Sequence, residues 1–183
     1  TLAAAGQVSD ERRKVSAMGD VVRLFPEALG RRALGPRKAC LRAVSAAEWF
    51  ARAQALDDVE APAAIRAYRR ALAGLPTLGD AHCNLGRLLH DRGELATAES
   101  HYRLAICCDS GHALYWFNLG VVLEDVGRQS EAVAAYHAVL AVDARFADAH
   151  FNLAGLLERA GDLSSARQAL RHLAAYRALR RAG

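Results

Sequence analysis

The chain has 183 residues, 52% of them hydrophobic, and a formal net charge of +4 at neutral pH. No run approaches the roughly 18 apolar residues that a membrane-spanning helix needs. The sequence also lacks a phosphate-cradling glycine loop and any twice-repeated pair of Cys or His at zinc spacing.

Residues 1–44 come first and carry the charge imbalance. They hold nine Arg or Lys against four Asp or Glu, a net of +5, so against the +4 of the whole chain the remaining residues carry −1. The start, Thr1-Leu2-Ala3-Ala4-Ala5-Gly6, has no basic flank or long apolar stretch and does not read as a signal peptide. The missing initiator Met fits a piece of a longer protein. Ser9-Asp10-Glu11 reads as a helix start, and Val15, Met18, Val22 and Phe25 follow helical spacing, so a short amphipathic helix is expected over 10–25. Pro26, Gly30, Gly35 and Pro36 break the chain, and 37–44 can turn helical again.

The next signal is Ser45-x-x-Glu48, a capping box that should start a helix over 46–56. Pro62 suits the first turn of a following helix over 62–73. Then the chain begins to repeat itself. Asn84-Leu85-Gly86 returns as Asn118-Leu119-Gly120 and as Asn152-Leu153-Ala154, each 34 residues on. A period of about 34 belongs to stacked helix–turn–helix units. Gly93, Gly127 and Gly161 keep the same interval, each just past an apolar-periodic run, where a helix stops on a left-handed residue. First helices carry His82, Leu85, Gly86 and Leu89; Trp116, Leu119, Gly120 and Leu123; His150, Leu153, Ala154 and Leu157. Those offsets form one helix face. Second helices carry Ala98, Tyr102 and Ala105; Ala132, Tyr136 and Val139; Ala166, Leu170 and Leu173. Helices are therefore expected at 80–92, 96–108, 113–126, 130–142, 147–160 and 164–180.

The run Trp116-x-x-Leu119-Gly120-x-x-Leu123, followed by Ala132, Tyr136 and Val139, resembles the tetratricopeptide repeat (TPR) family. Three units match over 79–180, about 79–112, 113–146 and 147–180. An earlier unit, about 45–78, fits through Trp49, Ala64, Tyr68, Ala71 and Pro76. There Asp57-Asp58 replaces the loop glycine, and the first helix is offset by one residue. The resemblance implies an all-α fold, a right-handed superhelical solenoid over 45–183 behind a basic segment 1–44. It also implies that the first helices line a concave groove.

Helix geometry places one face opposite the core, made of Asp80, Asn84, Arg87 and Asp91; Leu114, Asn118, Val121 and Asp125; Asp148, Asn152, Gly155 and Arg159. Beside it lie Cys83 and His90, Phe117 and Glu124, Phe151 and Glu158. Asn84, Asn118 and Asn152 form a row of amides, each with a donor and an acceptor for an extended peptide backbone. The competing reading is that each Asn satisfies local groups within the array. Phe117 and Phe151 either offer apolar pockets or pack on neighbouring helices. Two arginines, Arg87 and Arg159, face six acids, Asp80, Asp91, Asp125, Asp148, Glu124 and Glu158, so the face favours ligands carrying Lys or Arg. A carboxylate-clamp groove would need more basic residues there.

No nucleophile–base pair or metal set stands out, so neither catalysis nor a cofactor is expected. Cys40, Cys83, Cys107 and Cys108 have no disulfide framework spacing and read as reduced thiols in the cytoplasm. The expected function is a non-enzymatic protein–protein interaction scaffold, with protein or peptide partners and possible docking of segment 1–44 on the array. The alternative is a regulatory arm of a larger bacterial DNA-binding regulator or transferase. Basic residues in 1–44 suit phosphate contacts, but no reading helix or base-stacking aromatics accompany them, so nucleic acid is not the expected partner.

Overall fold

The computed structural model describes residues 43–182. Cys40 and the expected helix over 10–25 lie outside the described residues, as does 37–42 of the stretch 37–44, whose described end, Ala43 and Val44, is not helical. The described residues form eight α-helices and no strand. They run in pairs: α1 (Ala46–Leu56) with α2 (Ala61–Gly74), α3 (Gly79–Asp91) with α4 (Leu95–Cys108), α5 (Ala113–Asp125) with α6 (Gln129–Val142), and α7 (Ala147–Arg159) with α8 (Leu163–Ala182). Each helix packs on its pair mate, and the second helix of each of the first three pairs packs on the first helix of the next, which makes a helix–turn–helix solenoid.

Local chemistry sets the helix ends. Ser45 caps α1: Glu48 N–H donates to its Oγ at 3.2 Å, and Ser45 N–H donates to the Glu48 carboxylate at 2.7 Å. Pro62 sits in the first turn of α2, where its missing N–H costs no helical bond. Gly93, Gly127 and Gly161 have φ of 77°, 79° and 77°, a conformation in which a Cβ is strained. The α1–α2 connection differs. It has four residues, 57–60, where α3–α4 has three, 92–94, and no left-handed residue. Helix α1 also stops at Leu56, eight residues before Ala64, where Leu89 lies nine before Ala98 and α3 runs on to Asp91, so the one-residue offset comes from an earlier helix end that the longer connection only partly makes up.

The core is one continuous row along the array. Tyr68, Tyr102 and Tyr136 are its largest members, each at most 1% exposed. A ring lies flat against a glycine of the paired helix. A Cβ at position 86 would come within 2.8 Å of Tyr102, and one at position 120 within 2.6 Å of Tyr136. The recurring glycine therefore makes room for the recurring tyrosine.

The fourth unit departs from the expected pattern. Ala166 is exposed and Leu170 is 68% exposed, whereas Ala169 is 4% exposed and Leu173 is half-buried. Helix α8 starts in register but is rotated, so that Ala169 and Leu173 take the places expected of Ala166 and Leu170. Two contacts select this rotation. Tyr176 packs on Phe151 with ring centres 5.2 Å apart, and His172 meets His150 with Nδ1 atoms 2.8 Å apart. With Leu173 in place of a tyrosine, the paired helix accepts Ala154, which is 1% exposed, where the second and third units have Gly86 and Gly120 against a tyrosine.

Candidate functional site

The joints between units explain why His82, Trp116 and His150 share one repeat position. His82 Nε2 lies 3.0 Å from the Pro76 carbonyl, Trp116 Nε1 donates to the Ser110 carbonyl at 2.9 Å, and His150 Nε2 lies 3.2 Å from the Ala144 carbonyl. In each case a ring N–H reaches the carbonyl six residues back, so either ring type serves. His82 Nδ1 then lies 3.0 Å from His101 Nδ1. A neutral His82 that donates through Nε2 can only accept through Nδ1, so His101 supplies the proton. His150 and His172 repeat the arrangement. These histidines are joints. Among the described residues no group of three or more His, Cys, Asp or Glu is placed to hold a metal ion.

Burial, then His82 and Arg69, hold His101 below the usual imidazole range; burial, then His150 and His137, do the same for His172. On acidification through about 6.5 the unfolded chain takes these protons first. Stability carried by the neutral pairs is full above that pH and is lost as pH falls below it. The melting temperature should therefore drop between about pH 7.5 and 5.5, and His101→Gln with His172→Gln should flatten the drop. A double variant with an unchanged profile would contradict this.

The face of the first helices is cross-linked at a spacing of 35 residues, one more than the repeat. Tyr115 Oη donates to Asp80 at 2.6 Å, Asn118 Nδ2 donates to Cys83 Sγ at 3.2 Å, His90 Nε2 faces Asp125 at 2.6 Å, and Arg159 donates to Glu124 at 2.5 Å. Arg87 pairs with Asp57 and, at 3.3 Å, with Asp91. The acidic surplus of this face is thus partly neutralised by its own neighbours.

Each asparagine amide has a local partner. Asn84 Nδ2 donates to Tyr68 Oη at 3.2 Å and Asn152 Nδ2 to Tyr136 Oη at 3.0 Å; Asn118 turns instead to the Cys83 sulfur. All three are half-buried, and among the described residues their Oδ1 atoms accept no hydrogen bond. Tyr136 Oη in turn donates to Glu124 at 2.8 Å. Cys83, placed by periodicity beside the face, is only 2% exposed, and burial pushes its thiol up to about 11. It serves as an inward acceptor and is no nucleophile. Cys107 and Cys108 are exposed free thiols.

The two phenylalanines differ. Phe117 is half-buried against Phe146 and Tyr136, with ring centres 5.0 and 5.8 Å away. Phe151 is 53% exposed. With Asn152, Glu124, Glu158 and Arg159 and with Ala154, Gly155 and Leu173 it lines a cavity of about 250 Å³. This cavity brings four of the expected residues together: Asn152, Phe151, Glu124 and Glu158. It exists where rotation of α8 puts Leu173 in the place that a tyrosine fills in α4 and α6. Asn84, Arg87 and Asp91 lie further along the same row of helices, away from it.

The tetratricopeptide repeat family model matches residues 60–113 and 117–182. None of the curated proteins matches the sequence. Solved structures match the fold. A crystal structure of MamA is 16% identical with a TM-score of 0.70, and the match covers 97% of each chain. MamA 41-end from Desulfovibrio magneticus RS-1 is 15% identical with a TM-score of 0.67, covering 76% of this chain and 78% of that one. The first TPR of Spaghetti (RPAP3), solved with the HSP90 peptide SRMEEVD, is 17% identical with a TM-score of 0.62, covering 64% and 94%.

Proposed function

The chain belongs to the tetratricopeptide repeat family, and on that premise we propose that it is a non-enzymatic scaffold holding an extended basic or apolar peptide segment in the groove of its first helices. The observation that carries this reading is the cavity at the fourth unit. Its lining combines Phe151, Ala154 and Leu173 with Glu124, Glu158 and Arg159, of which Arg159 already pairs with Glu124. A Lys or Arg side chain can lay its methylenes on Phe151 and Leu173 and present its charge to Glu158. The asparagine Oδ1 atoms supply acceptors for backbone N–H groups of the same segment. The SRMEEVD peptide bound by the first TPR of Spaghetti (RPAP3) carries more acids than bases. Glu158 here suits the opposite charge. Free thiols at Cys83, Cys107 and Cys108 fit a reducing, cytoplasmic setting.

The test uses the full chain and a labelled extended peptide alternating Arg and Leu. Asn118→Ala should weaken binding by about 0.5–1.5 kcal/mol. It should do so more than Asn84→Ala or Asn152→Ala. Its donor is engaged only by sulfur, a weak acceptor, and the central position cannot be bypassed by a ligand sliding along the groove. Unchanged affinity in the triple alanine variant would reject the amide row. Glu158→Lys should weaken the same peptide and favour one with Glu in place of Arg.

Segment 1–44, with its net charge of +5, is proposed as an intramolecular competitor for this acidic groove. Arg12→Glu, Arg13→Glu and Lys14→Glu together should then tighten binding of the Arg/Leu peptide. An unchanged affinity would remove the competitor.

A further inference from the structure

A second cavity, of about 570 Å³, lies between α1 and α2. Trp49, Leu56 and Ala67 form its apolar part, and Arg52, Arg66 and Arg70 flank it. We propose that this face docks an acidic amphipathic helix of a partner protein. It shares no residue with the groove and does not depend on the function proposed for it.

Helical shape is inferred from the array itself. Trp116, Leu123 and Ala135 repeat Trp49, Leu56 and Ala67 two units on, and there the cavity is about 190 Å³ and is lined in part by Arg103 of α4, the second helix of the preceding unit. In the later units the first helix is thus packed by the second helix of the unit before it. Among the described residues no helix covers the first unit in that way.

Charge selects the occupant. The guanidinium groups of Arg52 and Arg70 lie 5.1 and 5.4 Å from the Trp49 ring, and Arg69 joins Arg66 and Arg70 in the adjoining hollow. Against them stands Glu60, 3.8 Å from Arg66. Segment 1–44 has a net charge of +5, the wrong sign to complement these arginines. The last helix of a second copy has the same wrong sign, because α8 has five arginines and no acid. A helix with Asp or Glu along both flanks of a Leu/Ala stripe fits: its stripe covers Trp49 and its acids meet the arginines.

Two synthetic helical peptides test this, sharing one Leu/Ala stripe and differing only in Glu or Lys along its flanks. Anisotropy of the labelled Glu peptide with the full chain should show saturable binding, and the Lys peptide should bind at least about tenfold more weakly. Arg66→Glu with Arg70→Glu changes exposed residues only and should reverse that preference. Glu158→Gln in the groove should leave it unchanged. Trp49→Ala should weaken the Glu peptide without altering its preference over the Lys peptide. Equal binding of both peptides, or Glu-peptide binding that survives the double charge reversal, overturns the proposal. So does concentration-dependent self-association that the reversal abolishes while neither peptide binds, which would assign the face to a second copy.

Discussion

Tyr136→Ala is expected to destabilise the array by about 3–5 kcal/mol, the usual range for removing a buried aromatic ring. Tyr136 is fully buried, and its hydroxyl donates to Glu124 and accepts from Asn152. The informative experiment adds Gly120→Ala. Alone, that change places a methyl 2.6 Å from the Tyr136 ring, and overpacking of this kind costs about 1–3 kcal/mol. On the Tyr136→Ala background the clash is gone, the methyl fills part of the cavity, and helix propensity favours Ala over Gly by about 1 kcal/mol. The double variant should therefore be more stable than Tyr136→Ala. Urea unfolding of the four proteins measures the coupling. Additive losses would show that the glycine is not there for the tyrosine. The fourth unit already carries the relieved combination, Ala154 with Leu173.

Leu119→Ala should cost about 2–5 kcal/mol through the cavity it leaves. Leu119 is 3% exposed in the middle of the row, with neighbours on both sides. An array is stabilised by interfaces between units, so damage to a middle unit weakens two of them. Ala132→Leu, at a fully buried crossing of α5 and α6, should cost about 1–3 kcal/mol by overpacking. Ala134→Gln on the exposed side of α6 should stay within about 0.5 kcal/mol. Equal melting of the three would mean that these faces are misassigned.

Most of the fold was legible because the chain can be compared with itself. Asn84, Asn118 and Asn152 set the interval, and Gly93, Gly127 and Gly161 punctuate it, so helix ends fall within a residue or two of expectation. The rotation of α8 was not legible, for a physical reason. Ala166, Leu170 and Leu173 share their spacing with Ala169, Leu173 and Tyr176, so either set forms a helix stripe. The choice is made across the interface, by Phe151 and His150. The candidate groove was half legible. Periodicity found the face but aligned like with like at 34 residues. Its cross-links run at 35, as in Asp80 with Tyr115 and Glu124 with Arg159. Complementary pairs at the repeat length plus one were the available signal.

The ring N–H that ties three of the first helices, α3, α5 and α7, to the loop before them makes Trp116 a built-in spectroscopic gauge. The chain has two tryptophans, so a proton–nitrogen spectrum contains two indole signals. That of Trp116 donates to the Ser110 carbonyl at 2.9 Å, and it should move and exchange quickly once the joint between the second and third units opens. One resolved peak can thus follow a single seam of the array during titration, heating or denaturation, without a label and without altering a residue.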